Sequence, residues 1–116
     1  MDAESIREYC FKKKQVTESF PFGNGTLVFK VKGKIFLLLV LNEELLKFNA
    51  KCDPVRAIEL REQYEYIQPG YHMNKKLWNT ITVNSTIPSQ LIKRIIDDSY
   101  SLVVNSLSKK EQEELL

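Results

Sequence analysis

The chain has 116 residues, 43% of them hydrophobic, and its 17 basic and 15 acidic side chains leave a net charge of +2. That length fits one domain, residues 1–116, which should bury somewhat over ~60% of the surface its unfolded chain would expose, and a second domain has no room. So small a charge excludes a role resting on overall basicity, and binding to a polyanion would have to come from lysines gathered locally.

Residues 3–14 read as a first helix. Ile6, Tyr9 and Cys10 recur at helical spacing, an acidic first turn suits the positive end of the macrodipole, and Lys12-Lys13-Lys14 suits the negative end. Phe20-Pro21-Phe22-Gly23-Asn24-Gly25 marks irregular chain with an Asn-Gly turn signal. From 26 to 41 the sequence is dense in Val, Phe, Ile and Leu and is broken only at Lys32-Gly33, which predicts a β-hairpin. In its first strand Leu27, Phe29 and Val31 share one face and Val28, Lys30 and Lys32 the other, so one side should be buried and the other mostly wet. The partner strand is apolar on both parities, as a central strand covered on both faces would be. Residues 46–52 predict a third strand, with Leu46, Phe48, Ala50 and Cys52 alternating against Lys47, Asn49 and Lys51.

Asp53-Pro54 then opens a helix with an N-cap carboxylate and a proline at the first helical position, running to about Tyr64 and burying Ala57, Leu60 and Tyr64. Pro69-Gly70 is a stop signal, and 77–83 predicts another strand. Ile87-Pro88 starts the longest helix, with Leu91, Ile92, Ile95, Ile96, Ser99, Leu102 and Val103 as its buried stripe. Ser108-Lys109-Lys110-Glu111 is a capping box for a short last helix. The longest apolar run, Ile35 to Leu41, has seven residues against the ~20 that cross a bilayer. The acidic start is wrong for a secretory signal, so a cytoplasmic protein with no membrane partner is expected. Cys10 and Cys52, far apart and outside any CxxC or His-rich setting, should be buried free thiols rather than a disulfide or zinc site.

Chemistry concentrates in Pro69-Gly70-Tyr71-His72-Met73-Asn74-Lys75-Lys76-Leu77-Trp78-Asn79-Thr80, which holds the only His and the only Trp. A single His makes no multi-histidine metal site, and GxSxG, HExxH and P-loop spacings are absent, so neither an enzyme nor a cofactor is expected. His72 either holds its loop by bonding neighbouring backbone or serves as a general base. Nucleic-acid binding asks for cations against phosphates together with base-edge hydrogen bonders or aromatic faces, and His72, Asn74, Lys75, Lys76 and Trp78 supply these within seven residues. Alternation directs Trp78 away from Leu77, Ile81 and Val83, as a packing residue under a helix or loop or as an exposed stacking platform. Lys30, Lys32 and Lys34 form a second group, readable as a mobile wing-like tip along a phosphate backbone or as surface charge against edge pairing.

Several stretches together resemble the MmcQ/YjbR family of small bacterial proteins. They are Ser19-Phe20-Pro21-Phe22-Gly23 with Thr26 to Val31 and Lys34-Ile35-Phe36, then Lys51-Cys52-Asp53-Pro54 with Ala57, Leu60 and Arg61, then the block from Pro69 to Thr80, and finally Pro88 to Ile92 with Asp97, Ser99 and Tyr100. The resemblance implies an α+β domain, a twisted antiparallel sheet with helices packed against it in a frataxin-like (CyaY-like) arrangement. It also implies DNA as the partner. The family's block often has a polar residue or His where Leu77 stands, which removes one hydrogen bonder beside Trp78. Iron binding, which a frataxin-like fold suggests, is not expected, because the first helix offers only Asp2, Glu4 and Glu8 before its three lysines.

The leading expectation is a non-enzymatic DNA-binding protein that contacts phosphates through Lys30, Lys32, Lys34, Lys51, Lys75 and Lys76, with His72, Asn74 and Trp78 adding polar or stacking contacts. The alternative is a small-molecule or protein-partner binding module with a pocket around His72 and Trp78.

Overall fold

The computed structural model describes residues 1–70 and 73–116. The elements run in the order α1 (Ala3–Phe11), β1 (Val16–Ser19), β2 (Thr26–Val31), β3 (Lys34–Val40), β4 (Lys47–Lys51), α2 (Pro54–Gln63), β5 (Ile67–Pro69), β6 (Trp78–Thr82), α3 (Ser89–Asn105) and α4 (Lys109–Glu113). The six strands make one sheet in the order β1-β2-β3-β4-β6-β5, with every neighbouring pair antiparallel. The molecule is therefore the α+β domain expected, and its radius of gyration of 13.6 Å is near the ~13 Å of a domain this size.

Helices α1, α2 and α3 pack on one face of the sheet. Leu27, Phe29, Val31, Leu37, Leu39, Phe48, Ala50, Ile67 and Ile81 point to that side and form one core with Ile6 and Cys10 of α1, Ala57 and Leu60 of α2, and Ile92, Ile95, Ile96 and Val103 of α3. The α3 stripe matches the sequence reading, with Leu91 and Leu102 at its half-buried margins. Ser99, the polar member of the stripe, is fully buried and has two partners: its hydroxyl donates to Phe36 O and accepts from Lys51 N. Phe36 is the extra residue where the β2–β3 register shifts, since Phe29 pairs with Leu37 but Lys30 with Ile35. Ser99 thus satisfies backbone groups that the bulge takes out of the ladder.

Several expectations shift in detail. α1 stops at Phe11 rather than 14, because the chain turns back through Gln15 at a φ of 55° to enter β1. Lys12 is its C-cap and Lys13 and Lys14 lie beyond it. The helix is opened by a reciprocal capping box between Asp2 and Ser5. The second side of the sheet is not uniformly wet: Val28 has no exposed surface and Leu38, its cross-strand partner, only 9%. Leu38 gives the central strand β3 its second apolar parity, although no helix covers that side. Tyr64 caps the end of α2 and stacks half-buried on Tyr66, 5.2 Å between ring centres.

Two short strands carry no periodic signature of their own. β1 and β5 are the sheet edges, four and three residues long. Each takes its strand character from a longer partner, β2 and β6 respectively.

Candidate functional site

Because side chains alternate along a strand, the register fixes which residues share the helix-free face. Ser19, Val28, Leu38, Asn49, Thr80 and Gln68 make a row across all six strands. Toward one end lie Thr26, Val40, Lys47 and Thr82. Toward the other end lie Thr17, Lys30, Ile35, Lys51 and Trp78, with Lys51 directly opposite Trp78. No strand residue on this face is acidic. Lys47 pairs with Glu43 of the preceding loop at 3.5 Å; Lys30 and Lys51 have no ion-pair partner among the described residues. On the helix-covered side Arg7 pairs with Glu18, Lys13 with Asp97 and Lys32 with Glu114.

Trp78 is half-buried on the open face. Its backbone is held on both sides: Trp78 N donates to Asn74 O at 2.9 Å, and Trp78 O accepts from Gly70 N at 2.9 Å. Gly70 is needed for this approach, since a Cβ there would stand 3.1 Å from both the Cβ and the carbonyl oxygen of Trp78. Asn74 has a structural duty of its own, because its side-chain oxygen accepts from Lys76 N at 3.0 Å and closes the turn. Cys52 N donates to Leu77 O at 2.7 Å, which seats the turn carrying exposed Lys75 and Lys76 beside the end of β4, where Lys51 stands.

The structure therefore brings Lys51 and Trp78 together at one end of the open face, with the turn of Asn74, Lys75 and Lys76 beside that end of the sheet, and Lys30 joins them from two strands away, about 10 Å at ordinary strand spacing. It separates Lys32 and Lys34 from them. Lys32 reaches the carboxylate of Glu114, and Lys34 Nζ donates to Ser106 O at 3.4 Å. The hairpin tip is thus bound down onto the C-terminal helices, not projected as a wing. His72 lies outside the described residues. Alternation alone puts Lys47 and Asn49 on one parity with Lys51, but the neighbours that make them a surface, Thr80 and Gln68, depend on strand order. Thr80 Oγ1 donates to Asn49 Oδ1, and around that pair Val40, Glu43, Lys47, Gln68 and Thr82 enclose a cavity of about 190 Å³.

Both cysteines are free and buried. Burial pushes Cys10 up to about 12 and Cys52 up to about 11. Among the described residues no three of His, Cys, Asp or Glu converge as metal ligands would, and no helix is long and apolar enough to cross a membrane. On the core side of β6, buried Asn79 donates from Nδ2 to Ala57 O at 3.3 Å and ties the strand to α2.

The family model YjbR matches residues 11–102, which include nearly every strand and helix of the core. The chain belongs to the YjbR family. It is 36% identical to the uncharacterized protein YbdF of Escherichia coli O157:H7, covering 97% of this chain and 95% of that one. It is 26% identical to the uncharacterized protein YjbR of Escherichia coli strain K12, covering 100% and 98%. Among solved structures, the Deinococcus radiodurans protein DR2400, a DUF419 domain, superposes with a TM-score of 0.91 at 37% identity, covering 97% of this chain and 86% of that one. A Pseudomonas syringae protein superposes at 0.76 and 26% identity, covering 88% and 98%.

Proposed function

We propose that this YjbR-family protein binds single-stranded DNA on the helix-free face of its sheet, without catalysing a reaction. The observation that carries the reading is the charge of the helix-free face: Lys30 and Lys51 stand without ion-pair partners among the described residues, on a face whose strands hold no acid. Beside Lys51 stands the only tryptophan. Lysines that track a backbone and an aromatic ring on which bases stack are the two components of single-strand recognition. Asn49, Gln68, Thr80 and the side-chain amide nitrogen of Asn74 supply hydrogen bonds at the base edges.

A single strand suits this surface better than a duplex. Reading a major groove takes an element that protrudes into it, and the candidate for that part, the tip at Lys32-Gly33-Lys34, is bound to Glu114 and Ser106.

Fluorescence anisotropy with a labelled twelve-base thymidine strand and a duplex of equal length, each at 50 and 200 mM salt, tests the proposal. The single strand should bind more tightly, weaken with salt, and lose at least tenfold in affinity in Lys30→Glu/Lys51→Glu. Lys32→Glu/Lys34→Glu should leave it within about twofold. Equal losses in the two double variants, or no binding at 50 mM salt, contradict it. A second reading rests on the cavity around Asn49 and Thr80: a small polar ligand held there would make the open face a small-molecule site. No oligonucleotide binding at 50 mM salt, together with saturable binding of a small polar ligand that Thr80→Val abolishes, would favour it.

A further inference from the structure

The helix side holds its own set of cations without carboxylate partners, far from the open face. α1 ends at Phe11, and the lysines beyond it do not complement its dipole within the last turn. They run instead along the mouth of a cavity of about 580 Å³ between that segment, the second half of α3 and α4. Lys12, Lys14 and Lys109 are exposed at the mouth and have no ion-pair partner among the described residues. Lys13, between the first two, is turned inward to Asp97 and lies 5.3 Å from the ring centre of Tyr100. Glu113 is the one acidic side chain of the lining among the described residues.

The floor is apolar, formed by the ring of Tyr100 with Val104 and Leu115. The rim is held rigidly where the lysines sit, because the Tyr100 hydroxyl donates to Lys14 O at 2.8 Å. A volume of about 580 Å³ falls within the ~300–1,000 Å³ of small-molecule sites, which combine an apolar lining with a few charged groups that fix orientation. Three unneutralised ammonium groups over an apolar floor complement one chemistry: a small amphiphile with an alkyl or aryl body and an anionic head.

We infer that this groove is a second binding site, for a small-molecule amphiphilic anion, formed by Lys12, Lys14 and Lys109 over Tyr100, Val104 and Leu115 and independent of the open sheet face. The alkyl body would displace water from the floor while the head stays at the wet rim, where each exposed lysine contributes modestly and the three act together.

The test is a titration of the ¹⁵N-labelled protein with octyl phosphate, octanoate, octyltrimethylammonium and inorganic phosphate, monitored by amide chemical shifts. The two octyl anions should give saturable shifts centred on Tyr100, Val104 and Leu115, at least tenfold tighter than the octyl cation or inorganic phosphate. Lys12→Glu/Lys14→Glu/Lys109→Glu changes only exposed side chains and should raise Kd at least tenfold with the thermal midpoint kept. Several results would overturn the inference: no saturation by either anion, equal response to the octyl cation, or shifts centred elsewhere. Equally tight filling of the groove by inorganic phosphate or by a thymidine strand would overturn it too, since the lysines would then serve a phosphate or a polyanion.

Discussion

Ser99 stands where water cannot reach and holds two backbone groups at once, Phe36 O and Lys51 N. Ser99→Ala leaves both unsatisfied. A buried orphan group costs ~1–3 kcal/mol, so stability measured by urea unfolding should fall by an amount in at least that range; a change under about 0.5 kcal/mol, the ordinary size of a surface substitution, would contradict the role assigned to it. The buried thiols make a separate prediction. In the unfolded chain they ionise near the ordinary 9.0, whereas in the folded protein they hold their protons to about 12 and 11. Tyr9, raised to about 12 by burial and by its bonds to Asp97, adds to this. Between those values the native state binds more protons than the unfolded state, so stability is complete below pH 9 and declines as pH rises above it. A urea midpoint at pH 10.5 equal to or above that at pH 8 would contradict this. At this scale the sequence was partly legible. The α3 stripe announced Ser99 as buried, but its partners lie on strands 48 and 63 residues away and leave no local mark. Asn74 had every feature of a contact residue, and its use in closing its own turn was not visible from composition.

The β2–β3 hairpin turns in only two residues, Lys32 and Gly33, both with positive φ, at 50° and 78°. That is the geometry two-residue hairpins favour, and it suits Asn or Gly far better than Lys at the first position. Holding Lys32 there costs ~1–2 kcal/mol, while its ion pair with Glu114, on the partly exposed side of the tip, is worth ~0–1 kcal/mol. The backbone effect should win. Lys32→Asn is expected to leave stability unchanged or raise it slightly in urea unfolding, and a loss above about 1 kcal/mol, more than such an ion pair ordinarily supplies, would show that the tether to α4 dominates. Sequence patterning was strongest at this scale. Every element of five or more residues was predicted, the longer ones from a periodicity that repeats several times and the five-residue α4 from its capping box at Ser108 and Glu111. β1 and β5 were missed because four and three residues carry no repeat, and pairing with β2 and β6 decides them.

At the scale of the whole molecule, folding sorts the lysines onto different surfaces. Lys30 and Lys32 share a strand parity and stand two residues apart, but the tight turn rolls Lys32 toward Glu114 while Lys30 stays on the open face. Lys51, Asn74 and Trp78 come together only because β6 is inserted between β4 and β5. The sequence could therefore name the residues of the 69–80 block and the alternation of β4, but not which lysines would join them, since that depends on strand order. Gly70→Ala tests how far this end of the sheet depends on close packing. The added methyl meets Trp78 at 3.1 Å, so it should shift the tryptophan emission maximum and weaken strand binding with little change in the salt dependence.

The most direct measurement uses that tryptophan, the only one in the chain, as the reporter in the unmodified protein. Titration with an unlabelled twelve-base thymidine strand should quench Trp78 emission saturably, with a midpoint that rises steeply between 50 and 200 mM salt. Binding detected by sedimentation while Trp78 emission stays constant, or a midpoint indifferent to salt, would contradict the assignment of the open sheet face.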